Sequence, residues 1–260
     1  MDDKHQALVG HTGFVGGNLL RQARFDRLYN SRNIQEIRGQ SFSHMIVTAA
    51  QAKKWWANQH PQEDREGIER LLENLSHCRA DRVTLISTID VLGSAAGLTE
   101  RDAPDMDALT AYGLHRWQLE EAVRARFEQV LVVRLPGLFG HGLKKNVIYD
   151  LLHDNALEQI QPQSSYQYYD LSRLWRDIGT AWTHQLAQIH LFPEPVQTAE
   201  LLQTFFPGRD VGRHAGPEAH YDHQTIHGTL FGGDERYIAS KSEVMRQLGV
   251  FVHDEQRRAS

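Results

Sequence analysis

The sequence predicts an α/β protein in which a doubly wound parallel sheet carries a small C-terminal lobe. Three observations predict it. Short β-branched and aliphatic runs recur through the first half of the chain, separated by helix-like stretches. A glycine-rich turn follows the first of these runs directly. Beyond Leu135 the texture changes to glycine, proline and loop-like segments. The length, 260 residues, is enough for one large domain or for a domain with a smaller second lobe, and no internal period suggests a repeat array.

Taken in order, the expected strands are 7–9, 27–30, 45–48, 83–87 and Val130–Leu135. A helix over 62–78, carrying Ile68, Leu71, Leu72 and Leu75, supplies the crossover between the third and fourth strands. The strongest helix is 111–127, where Leu119, Val123 and Phe127 step by four along one face and should dock on the sheet. Glu120 and Arg124 are expected to pair at i,i+4 on another face. Pro136, Gly137, Gly140 and Gly142 then mark a loop and a lobe boundary, followed by an apolar helix-like run over 147–152. Pro193 and Pro195 mark another break, and 207–217 reads as a loop. The main domain is therefore expected over 1–141, completed by about 164–192, with the lobe formed by 142–163 and 193–260.

Composition excludes several classes. No window approaches the ~18 apolar residues of a membrane span, and mean hydropathy is −0.51. Residues 1–6 are polar and 7–9 run directly into the glycine turn, which predicts no cleavable leader. A single cysteine, Cys78, predicts no internal disulfide and a reducing, cytoplasmic setting, with Cys78 a small helix-face residue. A net charge of −5 argues against bulk nucleic-acid binding.

The turn reads Gly10-His11-Thr12-Gly13-Phe14-Val15-Gly16 and opens a helix at 17–20. Strand, glycine turn and helix in that order form a phosphate cradle, since the glycines let backbone approach a pyrophosphate at the helix N-terminus. This is the dinucleotide-binding arrangement of a Rossmann domain, and Gly10, Thr12, Gly13, Phe14, Val15 and Gly16 are its expected contacts. An acid at the end of the second strand would hold the ribose 2′-hydroxyl of NAD. Residues 29–33 contain none, whereas Ser31 and Arg32 suit a 2′-phosphate, so NADP(H) is favoured and NAD(H) stays open.

Five motifs in order resemble the extended short-chain dehydrogenase/reductases, the family of nucleotide-sugar epimerases, dehydratases and 4-keto reductases. They are the Gly10/Gly13/Gly16 turn, Ala49-Ala50 after the third strand, and Ser87-Thr88-Ile89-Asp90-Val91-Leu92-Gly93. Tyr112-Gly113-Leu114-His115-Arg116 and Arg134-Leu135-Pro136-Gly137-Leu138-Phe139-Gly140 complete the set, which covers roughly 6–180. The resemblance implies Tyr112 as acid/base on a hydroxyl or carbonyl, Thr88 holding the same oxygen, and Arg116 at the position of the family's ribose-binding lysine. It also assigns Ala49 and Ala50 to the cofactor. A cation at ~4 Å in an effective dielectric of ~20 would lower the tyrosine pKa by roughly three units, and Arg116 is expected to supply that field in a planar five-donor shape. His115 beside them reads as a helix-surface histidine.

Departures from the family narrow the reaction. Only Asp90 remains of the dehydratases' two carboxylates, which argues against a full dehydratase. Residues 167–173 replace the usual late substrate motif, and Asp64 stands at the family's Asn before Gly67 and Ile68. The resemblance places the substrate's diphosphate at Lys144, Lys145 and Asn146, with Asn146 a helix cap, and Asp90 beside the substrate. Trp55-Trp56 could stack on a ring or pack. Fifteen histidines include a run at His214, His220, His223 and His227, but without metal-ligand spacing no metal is expected. Tyr166, Tyr168, Tyr169, Trp175 and Trp182 read as core. The expected activity is NAD(P)-dependent oxidation or reduction of a small, nucleotide-linked sugar. The alternatives are a sugar 4-epimerase with tightly held NAD and a catalytically silent NADP(H) sensor or scaffold. Neither nucleic acid nor membrane is expected as a partner, and a homodimer is left open.

Overall fold

The computed structural model describes residues 5–259; the polar start read from the sequence, 1–4, lies outside them. In chain order the strands are β1 (His5–Val9), β2 (Arg27–Tyr29), β3 (Ser41–Val47), β4 (Arg79–Thr88), β5 (Val130–Leu135), β6 (Gly137–Phe139), β7 (Ser165–Tyr166), β8 (Tyr168–Asp170), β9 (Gln188–His190) and β10 (Val196–Gln197). The helices are α1 (Phe14–Leu20), α2 (Lys54–Gln59), α3 (Pro61–Ser76), α4 (Ala111–Arg126), α5 (Val147–His153), α6 (Leu174–Thr183), α7 (Thr198–Phe205) and α8 (Lys241–Ala259). The chain divides into two compact units, Met1–Gly93, Asp102–Arg134 and Ser172–Ile189 in the first, and Ser94–Arg101, Leu135–Leu171 and His190–Ser260 in the second.

The first unit is built on a six-stranded sheet in the order β2-β1-β3-β4-β5-β9, with β1–β2, β1–β3 and β3–β4 parallel. This is the Rossmann-type α/β fold expected. The chain leaves β1 for β2 on one side and β3 on the other, so the crevice at the switch point opens at the ends of β1 and β3. One face of the sheet contributes Ala7, Val9, Met45, Val47, Val83, Leu85 and Val132, and these pack on Ile68, Leu71 and Leu75 of α3 and Leu119 and Val123 of α4. Each such fully buried side chain contributes about 1.5–3 kcal/mol. Period-2 alternation sends His44, next to Met45, to the opposite face, where its ring meets Trp175 and Trp182 of α6.

Several local expectations are corrected. β3 and β4 begin four residues before the runs 45–48 and 83–87, because ladder pairing carries the polar Ser41, Arg79 and Arg82 into the strands. Cys78 is not on a helix face. It follows α3 in the turn to β4, fully buried, with its thiol donating to the Leu75 carbonyl at 3.3 Å, and burial pushes it up to about 11. Glu120 does not pair with Arg124. It is wholly buried and holds Arg134 through both oxygens, at 3.1 and 2.7 Å, while Arg124 reaches Gln188 and Glu121.

In the second unit, 137–139 is strand rather than loop: β6 pairs parallel with β8, and β7 pairs antiparallel with β10. Phe139 and Tyr168 from that pair share a core with Ile148 and Leu151 of α5, Leu201 of α7 and Val244 and Leu248 of α8. Tyr168 and Tyr169 are buried as expected, whereas Tyr166, Trp175 and Trp182 are half-buried. Among the described residues no helix is long and apolar enough to cross a membrane, and no three His, Cys, Asp or Glu side chains converge as a metal site.

Candidate functional site

The glycine turn closes on the start of the β3 connection. Thr48 donates its amide to the Val9 carbonyl at 2.8 Å and its hydroxyl to the carbonyls of Val9 and Gly10. Gly10 sits at φ +93°, and a Cβ there would stand 2.6 Å from Thr48 Oγ1, so protein packing alone demands glycine. Gly16 is as tightly required, since its Cβ would meet the Gly10 carbonyl at 2.3 Å. Gly13 differs. It precedes α1 in extended backbone, and a Cβ there would have only the Gly10 carbonyl nearby, at 3.3 Å. The first-turn N–H groups of Phe14, Val15 and Gly16 have no intrahelical carbonyl to serve, and they are what a phosphate would use.

Beyond β2, Asn30 ties the turn together: its Oδ1 accepts from Arg32 N at 2.8 Å, its Nδ2 lies 3.1 Å from His11 Nε2, and its amide donates to Asn33 Oδ1 at 2.8 Å. Ser31 and Arg32 are exposed there, and no carboxylate stands between Tyr29 and Asn33. Ala49 and Ala50 are half-buried against the core beside the turn.

The second cluster forms where α4 meets the end of β4. Thr110 caps α4, and the Tyr112 amide donates to Asn58 Oδ1 of α2 at 2.9 Å. Gly113 sets the approach. A Cβ there would lie 2.4 Å from the Asp90 carbonyl, so its absence lets α4 close on the turn after β4. That closure brings Tyr112 towards Thr88, whose hydroxyl acts to lower the phenol's pKa. Thr88 Oγ1 also donates to Asp90 Oδ2 at 3.1 Å and accepts from the Asp90 amide at 3.2 Å. The other Asp90 oxygen holds Lys54 Nζ at 2.5 Å.

Arg116 lies under the Tyr112 ring, its guanidinium carbon 4.0 Å from the ring centroid. It is 3% exposed, and it donates to the buried Asp64 carboxylate and to the Gln51 carbonyl, while its Nε is buried without a partner. Two expectations change here. His115 is not on the surface but buried, with Nδ1 on Asp64 Oδ2 at 2.8 Å. Tyr112 is not lowered: burial raises its pKa above the ordinary 10, outweighing the lowering by Arg116, the raising by Asp90 being partly offset by Thr88 and Lys54. The physical reason is burial, since withdrawing the phenol from water costs its anion more than the Arg116 charge returns.

Under Thr88, the Ser87 hydroxyl donates to the buried Glu120 carboxylate at 2.5 Å, so the Glu120–Arg134 pair braces the strand that carries Thr88. Lys54, Gln51 and Asn58 were not singled out from the sequence. The signal available was position, since all three lie just beyond β3, at the edge where the crevice opens. Trp56 stacks on His60 at 5.0 Å, and Trp55 is 71% exposed.

In the second unit, Asn146 caps α5 as expected. Its Oδ1 accepts from Ile148 N and Tyr149 N at 3.0 and 3.1 Å, and Nδ2 donates to the Leu138 carbonyl at 2.8 Å. Lys144 and Lys145 are exposed beside it.

No protein-family model matches the chain, and no curated protein matches it by sequence. Solved structures do match. MoeE5 in complex with UDP-glucuronic acid and NAD superposes with a TM-score of 0.75 at 17% identity, over 98% of this chain and 99% of that one. UDP-glucose 4-epimerase from Thermotoga maritima with UDP-glucose gives 0.75 at 12% identity over the same shares. dTDP-4-dehydrorhamnose reductase from Yersinia enterocolitica gives 0.72 at 14% identity over 96% and 99%. Over nearly its whole length, the chain therefore has the Rossmann-type fold found in these nucleotide-sugar epimerases and reductases.

Proposed function

We propose that the protein is a nicotinamide-dinucleotide-dependent oxidoreductase acting on a carbonyl or hydroxyl carbon of a nucleotide-linked sugar. The observation that carries this reading is the packing of Tyr112 and Arg116 of α4, the guanidinium 4.0 Å from the ring centroid, beside the turn that follows Thr88 at the end of β4, in a chain whose β1 ends in a glycine turn. MoeE5 is described with UDP-glucuronic acid and NAD, and the Thermotoga maritima epimerase with UDP-glucose, which supports the same ligand classes here. The fit to a dinucleotide rests on Gly13, where a Cβ would meet only the Gly10 carbonyl, at 3.3 Å, a milder demand than at Gly10 or Gly16, and where a pyrophosphate would need the space. Gly10, Thr12, Gly13, Phe14, Val15 and Gly16 would hold the phosphates, with Ala49 and Ala50 lining the same crevice. Ser31 and Arg32, exposed beyond β2 where no acid stands, favour NADP(H). One cysteine, buried, suits a reducing cytoplasm.

The bound dinucleotide supplies the hydride donor or acceptor. Tyr112, whose pKa burial raises above the ordinary 10, is set as a proton donor to a carbonyl oxygen. Thr88 donates to Asp90 Oδ2, and to hold that oxygen its hydroxyl would have to turn its proton from Asp90 to the carbonyl. Arg116 holds the phenol ring from beneath and would reach the ribose only by loosening its bond to Gln51. In the second unit, Lys144, Lys145 and the α5 cap would receive the diphosphate.

That enclosure of Arg116 is also the observation favouring a silent sensor. One experiment separates the readings: the nucleotide released on denaturing the purified protein is identified, and UDP- and dTDP-linked keto-sugars are then added with NADPH or NADH. Nicotinamide oxidation should follow, and Tyr112→Phe should slow it by about 10²-fold or more with cofactor affinity unchanged. Product interconversion without net oxidation would indicate an epimerase. Tight binding with no turnover of any sugar would indicate a sensor.

A further inference from the structure

Two ion pairs flank Tyr112, and they differ in kind. Asp64 and Arg116 are each 3% exposed, and the carboxylate that holds Arg116 also takes His115. This pair is closed to solvent and to ligands. Asp90 is 16% exposed and Lys54 is 42% exposed. Their pair opens on water, with Lys54 Nζ on Asp90 Oδ1 and the Thr88 hydroxyl on Asp90 Oδ2, and it is held against α4 at Tyr112, since Gly113, the next residue, packs on the Asp90 carbonyl. The charged groups facing Tyr112 are thus Arg116 from its own helix, Asp90 from the turn after β4 and Lys54 from α2, with Asp64 of α3 and His115 one shell behind.

We propose that Lys54, acting through Asp90, is the positioning residue that sets the proton affinity of Tyr112 and the orientation of the Thr88 hydroxyl, while Arg116 serves as a fixed support for the ring. The physical argument is compensation. With Lys54 in place, the Asp90 carboxylate beside the phenol is neutralised and one of its oxygens is left for Thr88. Without Lys54, the Asp90 carboxylate loses that cation and opposes more strongly any negative charge on the Tyr112 oxygen. An anionic substituent on a substrate, a carboxylate or a phosphate, would compete with Asp90 for the same ammonium and shift the phenol in the same sense. The functional meaning of this tuning rests on the oxidoreductase reading, but the tuning itself does not.

The test therefore uses no substrate. The full-length protein is labelled with tyrosine carrying carbon-13 at Cζ, the Tyr112 resonance is identified by its loss in Tyr112→Phe, and its shift is followed by NMR from about pH 7 to about pH 11.5. Far-ultraviolet circular dichroism checks each variant's fold. Asp90→Asn should move the Tyr112 titration down by about half a pH unit or more, Lys54→Gln should move it up by a similar amount, and Lys54→Arg should restore the wild-type curve to within about 0.2. Should wild-type Tyr112 stay protonated through the range, Asp90→Asn must still bring its titration into view. Identical curves for wild type, Lys54→Gln and Asp90→Asn, or no rescue by arginine, would overturn the inference. A tunable Tyr112 in a protein that turns over no sugar would instead sink the oxidoreductase reading and leave this one standing.

Discussion

Replacing Asp64 with asparagine removes the anion that holds Arg116 while changing little of its shape. The carboxylate is buried in the first turn of α3, and its Oδ2 takes both Arg116 and His115 Nδ1. In Asp64→Asn the guanidinium, 3% exposed, keeps only the Gln51 carbonyl and whatever the new amide oxygen offers, and its Nε is already without a partner. Stranding one member of a buried pair costs about 3–5 kcal/mol, and the amide's residual acceptor puts this case near ~3. Against a typical stability of about 5–15 kcal/mol that is a large loss. Urea denaturation at neutral pH measures it, and Arg116→Met should cost a similar amount. The double variant should cost less than the two losses added together, with a coupling of about 2 kcal/mol or more, because no charge is then left unpaired. Asp64→Asn within about 0.5 kcal/mol of wild type, together with no coupling to Arg116→Met, would refute the claim that the pair is electrostatically closed.

Three further outcomes are expected. Burial, aided by Arg82, pushes His44 down to about 4, and neutral Nε2 suits the Thr84 hydroxyl that already receives Trp182 Nε1; stability should therefore fall by up to ~3 kcal/mol as pH drops from about 6.5 to about 4, where the unfolded chain takes up the proton first, and urea midpoints of His44→Gln should lack that part of the loss. Gly13→Val should abolish dinucleotide binding in a fluorescence titration while circular dichroism stays at wild type, and retained binding would place the ligand elsewhere. Arg32→Ala should weaken NADPH several-fold and leave NADH unchanged, whereas equal affinities in the wild type would remove the 2′-phosphate argument.

What the sequence made legible were features with local causes. The glycine turn, the strand over Val130–Leu135 and the apolar stripe of Leu119, Val123 and Phe127 are written in nearest-neighbour spacing, and each stands where expected. The misplaced features all depend on partners distant in the chain. Glu120 and Arg124 have helical spacing, yet Glu120 turns inward because Arg134 and Ser87 wait there, 14 and 33 residues away. His115 looked like a surface residue because its partner, Asp64, lies 51 residues earlier. Polar residues such as Arg79 enter β4 because β3 presents a ladder to pair with, which no propensity of their own would indicate.

The same distinction explains why the phenol's direction reversed. Counted from the sequence, one cation four residues after Tyr112 dominates its surroundings. In the folded chain that cation arrives with Asp64 attached, and a second pair, Asp90 with Lys54, arrives from two other elements. Arg116 still lowers the phenol, but burial raises it by more and decides the direction. The site can then respond only through the pair that is easier to break. Opening the buried one strands charge at about 3–5 kcal/mol, whereas a pair with a half-exposed lysine is worth about 0–1 kcal/mol. A ligand or a change of salt therefore reaches Tyr112 through Lys54 and Asp90, and it leaves Arg116 where α3 and α4 have fixed it.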